Sequence, residues 1–304
     1  MLTPILAKHT VAPLNEPQRL SIYALGIFPQ LPTRNSLKKA IKRGEIQLNG
    51  IRAKTGDWVS EGDCITLVDL GLAPPKPYNF PLEVVYEDEV CAVLIKPAGL
   101  LVSGNHFKTV VNALGGCLTE SKANDKLKWP QPVHRLDRPT SGLLLIAKTI
   151  KARIELGKQF EERRILKVYR AVVVGEIPEQ GNIHNPIDGQ NAKTQYKRIE
   201  RVPSLWNEAL SLVELYPETG RTHQLRIHLA DIGHPIVGDK LYGNSGEMMI
   251  HKGLFLSAIA LTFSHPLTQE PIQVAIKQPP KFSAYLTREK KRWNNYREGG
   301  NIQK

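Results

Sequence analysis

The segment over residues 133–148 constrains the fold of this chain more than any other part of its sequence. Its second half, residues 143–147 (LLLIA), is an uninterrupted apolar run, which is typical of a strand buried on both faces. The preceding residues 139–142 (PTSG) form a turn sequence that allows the backbone to bend sharply. The segment therefore predicts a tight turn that presents polar side chains at the mouth of a central strand.

One carboxylate lies in that predicted bend. Asp137 stands between Arg135 and Arg138, and nearby positive charges favour the ionised form of a carboxyl group. An ionised aspartate at a strand mouth can act as a nucleophile or a base. The alternative is a purely structural ion pair, which is the more common role of an aspartate among arginines. Three other segments favour the functional interpretation.

These segments and the one around Asp137 form an ordered set of motifs. They are residues 95–100 (IKPAGL), 167–171 (KVYRA) and 219–228 (TGRTHQLRIH), the last continuing through 233–239 (GHPIVGD). Together with residues 134–142 (HRLDRPTSG), they resemble the motifs of RluA-type RNA pseudouridine synthases over about residues 80–280. So long an ordered motif string is a specific signal.

The resemblance implies a fold and a reaction. The expected fold class is α+β, with a mixed, mainly antiparallel central sheet, flanking helices and a small N-terminal α/β RNA-binding domain. The expected reaction isomerises specific uridines of large-subunit ribosomal RNA, with transfer RNA as the alternative substrate. The glycosidic bond breaks, the uracil turns, and it rejoins the ribose through carbon 5. This isomerisation is redox-neutral, so we expect no cofactor.

The resemblance also implies site residues. Asp137 matches the family's nucleophile, Tyr169 the tyrosine that packs on the uracil, and Arg221 the arginine that pairs with the aspartate. The target base has to leave its stack to be reached, and Arg135 matches the arginine that fills the gap it leaves. The remaining RNA contacts expected in these motifs are Arg138 and Lys96.

Composition agrees with a polyanionic partner. The chain has 304 residues and a formal net charge of +12, which favours nucleic acid before membrane. Its three cysteines lie far apart and form no C-x-x-C pair, so we expect neither a zinc ribbon nor a disulfide framework. No stretch approaches the ~20 apolar residues of a membrane span, and the N-terminus lacks a signal-peptide pattern. We expect a monomeric cytoplasmic protein that binds RNA.

Residues 17–70 predict a small separate domain. Ser36 is expected to cap a helix that buries Leu37 and ends at Gly44, and Asn49-Gly50 predicts a hairpin after it. A basic helix followed by such a hairpin resembles the S-four RNA-binding domain, which implies that the helix faces phosphates. The basic residues of this helix are Arg34, Lys38, Lys39, Lys42 and Arg43. The alternative is a solvated helix face.

The remaining boundaries follow from composition. Residues 1–16 show no clear period and are expected to form a loose arm. The proline-rich residues 71–79 predict a linker to a catalytic domain over residues 80–283. Residues 284–304 are rich in lysine and arginine and are expected to form a basic tail. Within the catalytic domain, Thr222 is expected to cap a helix.

Two other kinds of site or function were weighed. His223, His228, His234 and His251 cluster in sequence, but a spacing of five residues puts the first two on different helix faces, and we expect no metal site. A non-catalytic RNA-binding or ribosome-assembly factor remains an alternative, although a degenerate scaffold is expected to lose the aspartate or the tyrosine. A base-excising glycosylase would leave an abasic site, whereas a synthase leaves the mass of the RNA unchanged.

Overall fold

The computed structural model describes residues 4–31, 33–71, 74–243 and 252–298. It divides the chain into two compact units, Met1–Pro75 and Lys76–Lys304. The division falls within the proline-rich segment, where proline fixes the backbone and removes amide donors, so that neither helix nor sheet is favoured. Each unit has a hydrophobic core of its own.

The N-terminal unit is built from six short strands and two helices. In chain order they are β1 Ile5–Thr10, β2 Gln18–Arg19, α1 Leu20–Tyr23, α2 Arg34–Arg43, β3 Ile46–Leu48, β4 Ile51–Arg52, β5 Trp58–Val59 and β6 Cys64–Val68. The main sheet has the order β1-β6-β3-β4, and β2 pairs with β5. All of these pairings are antiparallel.

Helix α2 has the expected buried face but a different first residue. Thr33, rather than Ser36, is the N-cap, because its hydroxyl accepts the Ser36 amide at 3.1 Å while the Ser36 hydroxyl oxygen accepts the Thr33 amide at 3.0 Å. This reciprocal pair is a capping box. Leu37 is buried, and Gly44, with φ of 86°, ends the helix in the left-handed conformation as predicted. The Asn49-Gly50 turn joins β3 to β4.

The prediction of a loose arm over residues 1–16 is wrong for residues 5–11. Strand β1 pairs with β6 from Ile5↔Val68 to Thr10↔Cys64, and Val11 is buried. The side chains of β1 are mostly exposed, so the strand lacks the apolar alternation that would reveal it. Its partner strand lies far along the chain, and no local pattern indicates the pairing.

The C-terminal unit is built on one ten-stranded sheet. Its strands are β7 Glu83–Glu87, β8 Cys91–Lys96, β9 Lys126–Pro132, β10 Ser141–Thr149, β11 Leu166–Val174, β12 Gln180–Ile183, β13 Thr194–Ser204, β14 Glu208–Pro217, β15 Leu256–Ser264 and β16 Pro271–Ala275. Its helices are α3 Val110–Ala113, α4 Ile150–Glu161, α5 Gln224–Asp231 and α6 Pro280–Glu298. The order is β12-β13-β14-β11-β15-β10-β8-β7, with β9 on β10 and β16 on β15. Only the β10–β15 pair is parallel among the described pairings, so the predicted mainly antiparallel α+β fold is confirmed.

Strand β10 is the predicted strand after the aspartate motif, and it is buried from Gly142 to Thr149. On one face, Leu143 and Leu145 belong to the cluster that contains Leu156 of α4. On the other face, Leu144 packs in the cluster that contains Leu94 of β8. Both faces are therefore covered, which explains why the sequence of this strand is continuously apolar.

The predicted boundary at residue 283 and the predicted tail after it are wrong over residues 284–298, and residues 299–304 lie outside the described part of the chain. Helix α6 runs without a break from Pro280 to Glu298. Its Phe282, Tyr285, Leu286 and Glu289 are buried, a spacing of three and four residues that marks one helix face. The high density of charge on the other faces hid this pattern. Neither α6 nor any other helix in the described ranges is long and apolar enough to cross a membrane.

Gly142, the second residue of β10, lies directly against β15, which gives a prediction about stability. A Cβ at Gly142 would lie 2.1 Å from the carbonyl oxygen of Ala258, and its φ is 116°. Gly142→Ala therefore combines a backbone clash with backbone strain, and we expect a loss of about 3 kcal/mol in the free energy of unfolding. Gly157 in α4 has no atom within 4 Å of its Cβ position, so Gly157→Ala should stabilise by about 0.5–1 kcal/mol.

Urea unfolding followed by circular dichroism compares these two variants with the parent. Both replace glycine with alanine, so only the surroundings of the new methyl group differ. A Gly142→Ala protein as stable as the parent would contradict the close approach of β10 and β15.

Candidate active site

A cavity of about 250 Å³ opens where β10 begins. Its walls come from the turn before β10, from β11, and from the segment that joins β14 to α5. Three of the four sequence motifs therefore meet here. The cavity brings together Arg135, Asp137, Tyr169 and Arg221, as the resemblance implies. Lys96 and Arg138 do not line it.

The aspartate turn is fastened to β10 by its backbone and by one histidine. The Thr140 amide donates to the Asp137 carbonyl at 3.1 Å, which closes the turn. The His134 Nε2 accepts the Leu145 amide at 3.0 Å, and its ring stacks on Phe160 at 4.8 Å. Burial, followed by the charge of Lys167, lowers the pKa of His134 to about 3. This histidine is therefore neutral and structural, and it holds the turn in place.

The carboxylate of Asp137 faces Arg226, not the predicted Arg221. Arg226 Nη1 lies 3.8 Å from Asp137 Oδ2. Arg221 instead donates from Nε to the carbonyl of Asn191 at 3.1 Å. Among the residues that the structure describes, Arg221 forms no ion pair with Asp137. Helix geometry explains the difference, because Arg226 lies on the inner face of α5 whereas Arg221 precedes the helix.

Arg226 is itself held by a second, buried aspartate. Its Nε and Nη2 donate to Asp239 Oδ2 and Oδ1, both at 2.7 Å. The backbone amides of Leu241 and Tyr242 also donate to Asp239 Oδ1. Burial opposes the charge on Arg226, but the bonds to Asp239 outweigh it and raise the pKa of the guanidinium. The same bonds hold the pKa of Asp239 below its usual range against the effect of burial. The two-pronged contact fixes the guanidinium and leaves Nη1 directed at Asp137.

His223 completes the surroundings of the carboxylate. Its Nε2 lies 3.8 Å from Asp137 Oδ1, and its Nδ1 lies 2.9 Å from the Tyr242 hydroxyl. His223 is also the residue before α5, with φ of 57° and no capping bond from its side chain. The predicted cap at Thr222 is therefore wrong. The tight turn brings His223 to one oxygen of the carboxylate and Arg226 to the other, which the spacing of the motif alone does not reveal.

Tyr169 forms the opposite part of the cavity wall. It lies on β11 between Leu215 of β14 and Ala258 of β15. Burial, with a further contribution from the Asp137 charge, raises the pKa of its phenol. The hydroxyl therefore stays protonated at neutral pH. A rigid, neutral ring beside an ionisable carboxylate suits the packing of a planar base.

Lys96 cannot serve as the RNA contact that was predicted for it. The side chain is fully buried, and its ammonium donates to the carbonyls of Leu100, Pro97 and Arg138 at 2.7, 3.0 and 3.3 Å. Burial lowers its pKa to about 8, although the charge of Asp137 opposes the shift. Lys96 therefore joins the segment over residues 95–100 to the aspartate turn from inside the protein. These three donated bonds use the whole donor capacity of an ammonium group.

The two arginines beside Asp137 differ in their availability. Both are exposed. Arg135 lines the cavity, so its side chain stands at the entrance. Arg138 donates from Nε to the Gly99 carbonyl at 3.1 Å, and its own carbonyl accepts the Gly99 amide at 2.7 Å. Arg138 thus has a structural role in joining the two loops, in addition to the RNA contact expected of it.

The described residues contain one group with the side chains of a metal site, and it does not include the histidines that cluster in sequence. Asp88, Cys91 and His265 place their ligand atoms within 4.8 Å of one another. These atoms already bond to each other: His265 Nε2 lies 3.1 Å from Asp88 Oδ2, while Nδ1 of the same ring accepts the Thr268 amide at 3.0 Å. Burial raises the pKa of the Cys91 thiol. The group is a hydrogen-bonded link between β8 and the end of β15. His251 lies outside the described residues.

Comparison with known proteins agrees with this geometry. Residues 90–231 match the family model for RNA pseudouridylate synthase. The ribosomal large subunit pseudouridine synthase D of Xylella fastidiosa is 33% identical over 286 residues, which is 83% of each chain. The chain belongs to the RluA family of RNA pseudouridine synthases. It is therefore an isomerase that acts on RNA.

Two further relatives support this membership. An uncharacterised RNA pseudouridine synthase of Aquifex aeolicus is 32% identical over 297 residues, covering 88% of this chain and 93% of that one. Among solved structures, the human RNA pseudouridylate synthase domain containing 1 has a TM-score of 0.54 and 26% identity, over 65% of this chain and 84% of that one. The RluA-family fold is thus supported by sequence and by structure.

Proposed function

We propose that this synthase isomerises specific uridines of large-subunit ribosomal RNA, with Asp137 as its nucleophile. The observation that carries the proposal is the half-buried Asp137 carboxylate, which faces Arg226 and His223 in a cavity that Tyr169 also lines. Ligand pockets for drug-sized molecules begin at about 300 Å³, so a cavity of about 250 Å³ suits a single nucleoside rather than a helical segment. Relatives named for the large ribosomal subunit favour this RNA over transfer RNA.

Each of the main cavity residues has its own role in the proposed reaction. The carboxylate of Asp137 attacks the flipped uridine, and the glycosidic bond between nitrogen 1 and the ribose breaks. The freed uracil turns, carbon 5 joins the ribose, and the bond to the carboxylate breaks, which regenerates Asp137. Carbon 5 then loses its proton and nitrogen 1 takes one up, so the mass of the nucleotide is unchanged. Arg226 keeps the carboxylate oriented, because its Nη1 lies 3.8 Å from Asp137 Oδ2. The ring of Tyr169 holds the base during its rotation.

Access to the cavity requires the target base to leave its stack. Arg135 is exposed at the rim of the cavity, where a guanidinium plane can take the place of the flipped base against its neighbours.

No cofactor is needed in this scheme, because bonds are exchanged within one nucleotide. We propose that the enzyme does this work in the cytoplasm as a monomer.

The test of the proposed function is a comparison of cells with and without the gene. Pseudouridines are mapped in ribosomal and transfer RNA from both strains, and purified enzyme is then added to RNA from the deletion strain. Loss and restoration of the same large-subunit sites support the proposal. Sites that change only in transfer RNA would assign the enzyme to that substrate instead.

Tyr169 gives a prediction that separates stacking from the hydroxyl group. Tyr169→Phe retains the ring, whereas Tyr169→Ala removes it, and stacking on an aromatic side chain is worth about 1–3 kcal/mol per base. We therefore expect Tyr169→Ala to bind RNA that carries a 5-fluorouridine target at least about fivefold more weakly than Tyr169→Phe does. Filter binding measures both affinities. Equal affinities would show that Tyr169 does not stack on the base.

We further propose that the N-terminal unit is an S-four RNA-binding domain. Four of the predicted residues, Arg34, Lys38, Lys39 and Lys42, are exposed on α2, so they are free to meet phosphates. Arg43 is committed elsewhere, because its Nε and Nη2 donate to Glu45 at 2.7 and 2.6 Å. Arg52 and Lys54, which no sequence motif indicates, line a groove of about 410 Å³ together with Lys42.

Salt dependence gives the prediction for this unit. Each phosphate neutralised by a lysine releases counterions, so removing one such contact lowers the slope of log affinity against log salt by about 0.7–0.9. We expect this change for Lys38→Gln and for Lys42→Gln. Lys8→Gln serves as the control, because Lys8 is exposed on β1, which lies at the other edge of the sheet from β4. The same slope in all three variants would exclude α2 from the RNA interface.

A further inference from the structure

The end of the β13–β14 hairpin and the end of α6 form a groove of about 670 Å³ that the proposed reaction does not use. Two tryptophans, Trp206 and Trp293, and two arginines, Arg201 and Arg297, contribute to its lining. We call it the two-tryptophan groove. Such a combination of aromatic rings and guanidinium groups needs an explanation, because a large exposed aromatic surface is costly in water.

The groove is far from the catalytic cavity. The β13–β14 ladder runs from Thr194↔Pro217 to Ser204↔Glu208. Pro217 lines the catalytic cavity, whereas Ser204 and Glu208 line the groove. A ladder of this length spans roughly 30 Å at about 3.3 Å per residue. The two sites are therefore at opposite ends of the same pair of strands.

Helix α6 is held firmly against the hairpin, so the groove is a built feature. The Ser204 hydroxyl donates to Glu289 Oε2 at 3.2 Å, and Arg292 Nη1 donates to Glu289 Oε1 at 2.9 Å. Trp293 follows Glu289 by one turn and is half-buried. Trp206 is different, because its side chain is 76% exposed at the hairpin tip. The indole of Trp293 thus forms part of the groove wall, and the indole of Trp206 is available to a ligand.

The charged residues around the two-tryptophan groove indicate the kind of ligand that it binds. Helix α6 carries six lysines and arginines against two glutamates, and one of those glutamates, Glu289, is buried. Glu208 also lines the groove, and Arg201 bonds to Glu176 at 2.6 Å. Arg297 at the far side of the groove, and Lys290 and Lys291 on α6, are exposed. The helix therefore presents a net positive surface beside an open indole.

We propose that the two-tryptophan groove binds a second, single-stranded segment of the RNA substrate, with one base stacked on Trp206 and a phosphate near Arg297. Aromatic platforms combined with basic side chains are the usual means of holding single-stranded nucleic acid. A contact about 30 Å from the target uridine lengthens the footprint on the RNA. This second contact favours large folded RNAs over short stem-loops as substrates. The proposal rests on RNA being the substrate, which the family shows, and it deepens the proposed choice of ribosomal RNA.

The experiment compares Trp206→Phe with Trp206→Leu in the full-length protein. Phenylalanine keeps an aromatic platform, whereas leucine keeps only apolar surface. With a full-length large-subunit RNA transcript, we expect Trp206→Leu to bind about tenfold more weakly and Trp206→Phe to stay close to the parent. With a stem-loop too short to reach the groove, both variants should match the parent. The rate at saturating RNA should not change, because Trp206 is remote from the cavity.

Photo-crosslinking of the parent to the same transcript identifies the contact directly, and we expect a crosslinked peptide that contains Trp206. Equal affinity of Trp206→Leu and the parent for the long transcript would overturn the proposal. Equal loss in both variants, without a crosslink, would also overturn it, because the loss would then not depend on an aromatic platform. If the parent bound the transcript but formed no pseudouridine in it, the proposed substrate would fail, while the binding comparison would still decide the role of the groove.

Discussion

Asp137→Asn is expected to abolish pseudouridine formation, with a loss of at least about a thousandfold in rate. Asparagine is nearly the same size as aspartate but lacks the nucleophilic charge. The bond that closes the turn uses the Asp137 backbone carbonyl, so the fold does not depend on the carboxylate. The measurement is the release of tritium from RNA labelled at carbon 5 of uridine, at saturating RNA.

Asp231→Asn is the matched control for this substitution. Asp231 is exposed at the end of α5 and does not line the cavity, so the same chemical change there should leave the rate and the affinity for RNA unchanged. Circular dichroism and RNA binding at the parent level would show that Asp137→Asn is folded. Activity within tenfold of the parent would remove Asp137 as the nucleophile.

The sequence predicts the central part of this fold because that part is dominated by local patterns. The apolar run of β10 is buried on both faces, as its composition requires. The start of β10 has to contain a glycine, because a Cβ at Gly142 would collide with Ala258. The cavity also collects the residues of three motifs, which the order of the motifs indicates. In each case the signal is a run of a few residues, although the contacts that it serves come from distant parts of the chain.

The errors arose where the deciding contact is not local. The partner of Asp137 depends on the turn at His223 and on Asp239, which anchors Arg226 from beyond the helix. Lys96 looks like a surface lysine in the sequence, but the carbonyls that bury it come partly from Arg138. Helix α6 was hidden because its charged faces outweigh a short buried stripe. Sequence reasoning had one signal that could have found Arg226, namely its place in the same motif as Arg221.

Arg226→Lys is expected to lower the single-turnover rate by about a hundredfold or more. The guanidinium donates to both oxygens of Asp239 and also approaches Asp137. A lysine ammonium is a single point charge on a flexible stem, so it cannot reproduce the two-pronged contact and the approach to Asp137 together. A displacement of about 1 Å at a reacting group can by itself cost about a hundredfold in rate. The substitution keeps the positive charge, so any loss of rate results from a change in the position of that charge.

Arg221→Lys decides between the two arginines of the same motif. The side chain of Arg221 bonds to a backbone carbonyl, which a lysine can also reach, so we expect less than a tenfold change in the same assay. Both variants are compared at saturating RNA, with RNA affinity and circular dichroism as checks that each is folded. A larger loss for Arg221→Lys than for Arg226→Lys would mean that RNA binding reorganises the cavity and brings Arg221 to the carboxylate. The expected order would instead establish that Arg226, rather than Arg221, sets the orientation of the nucleophile.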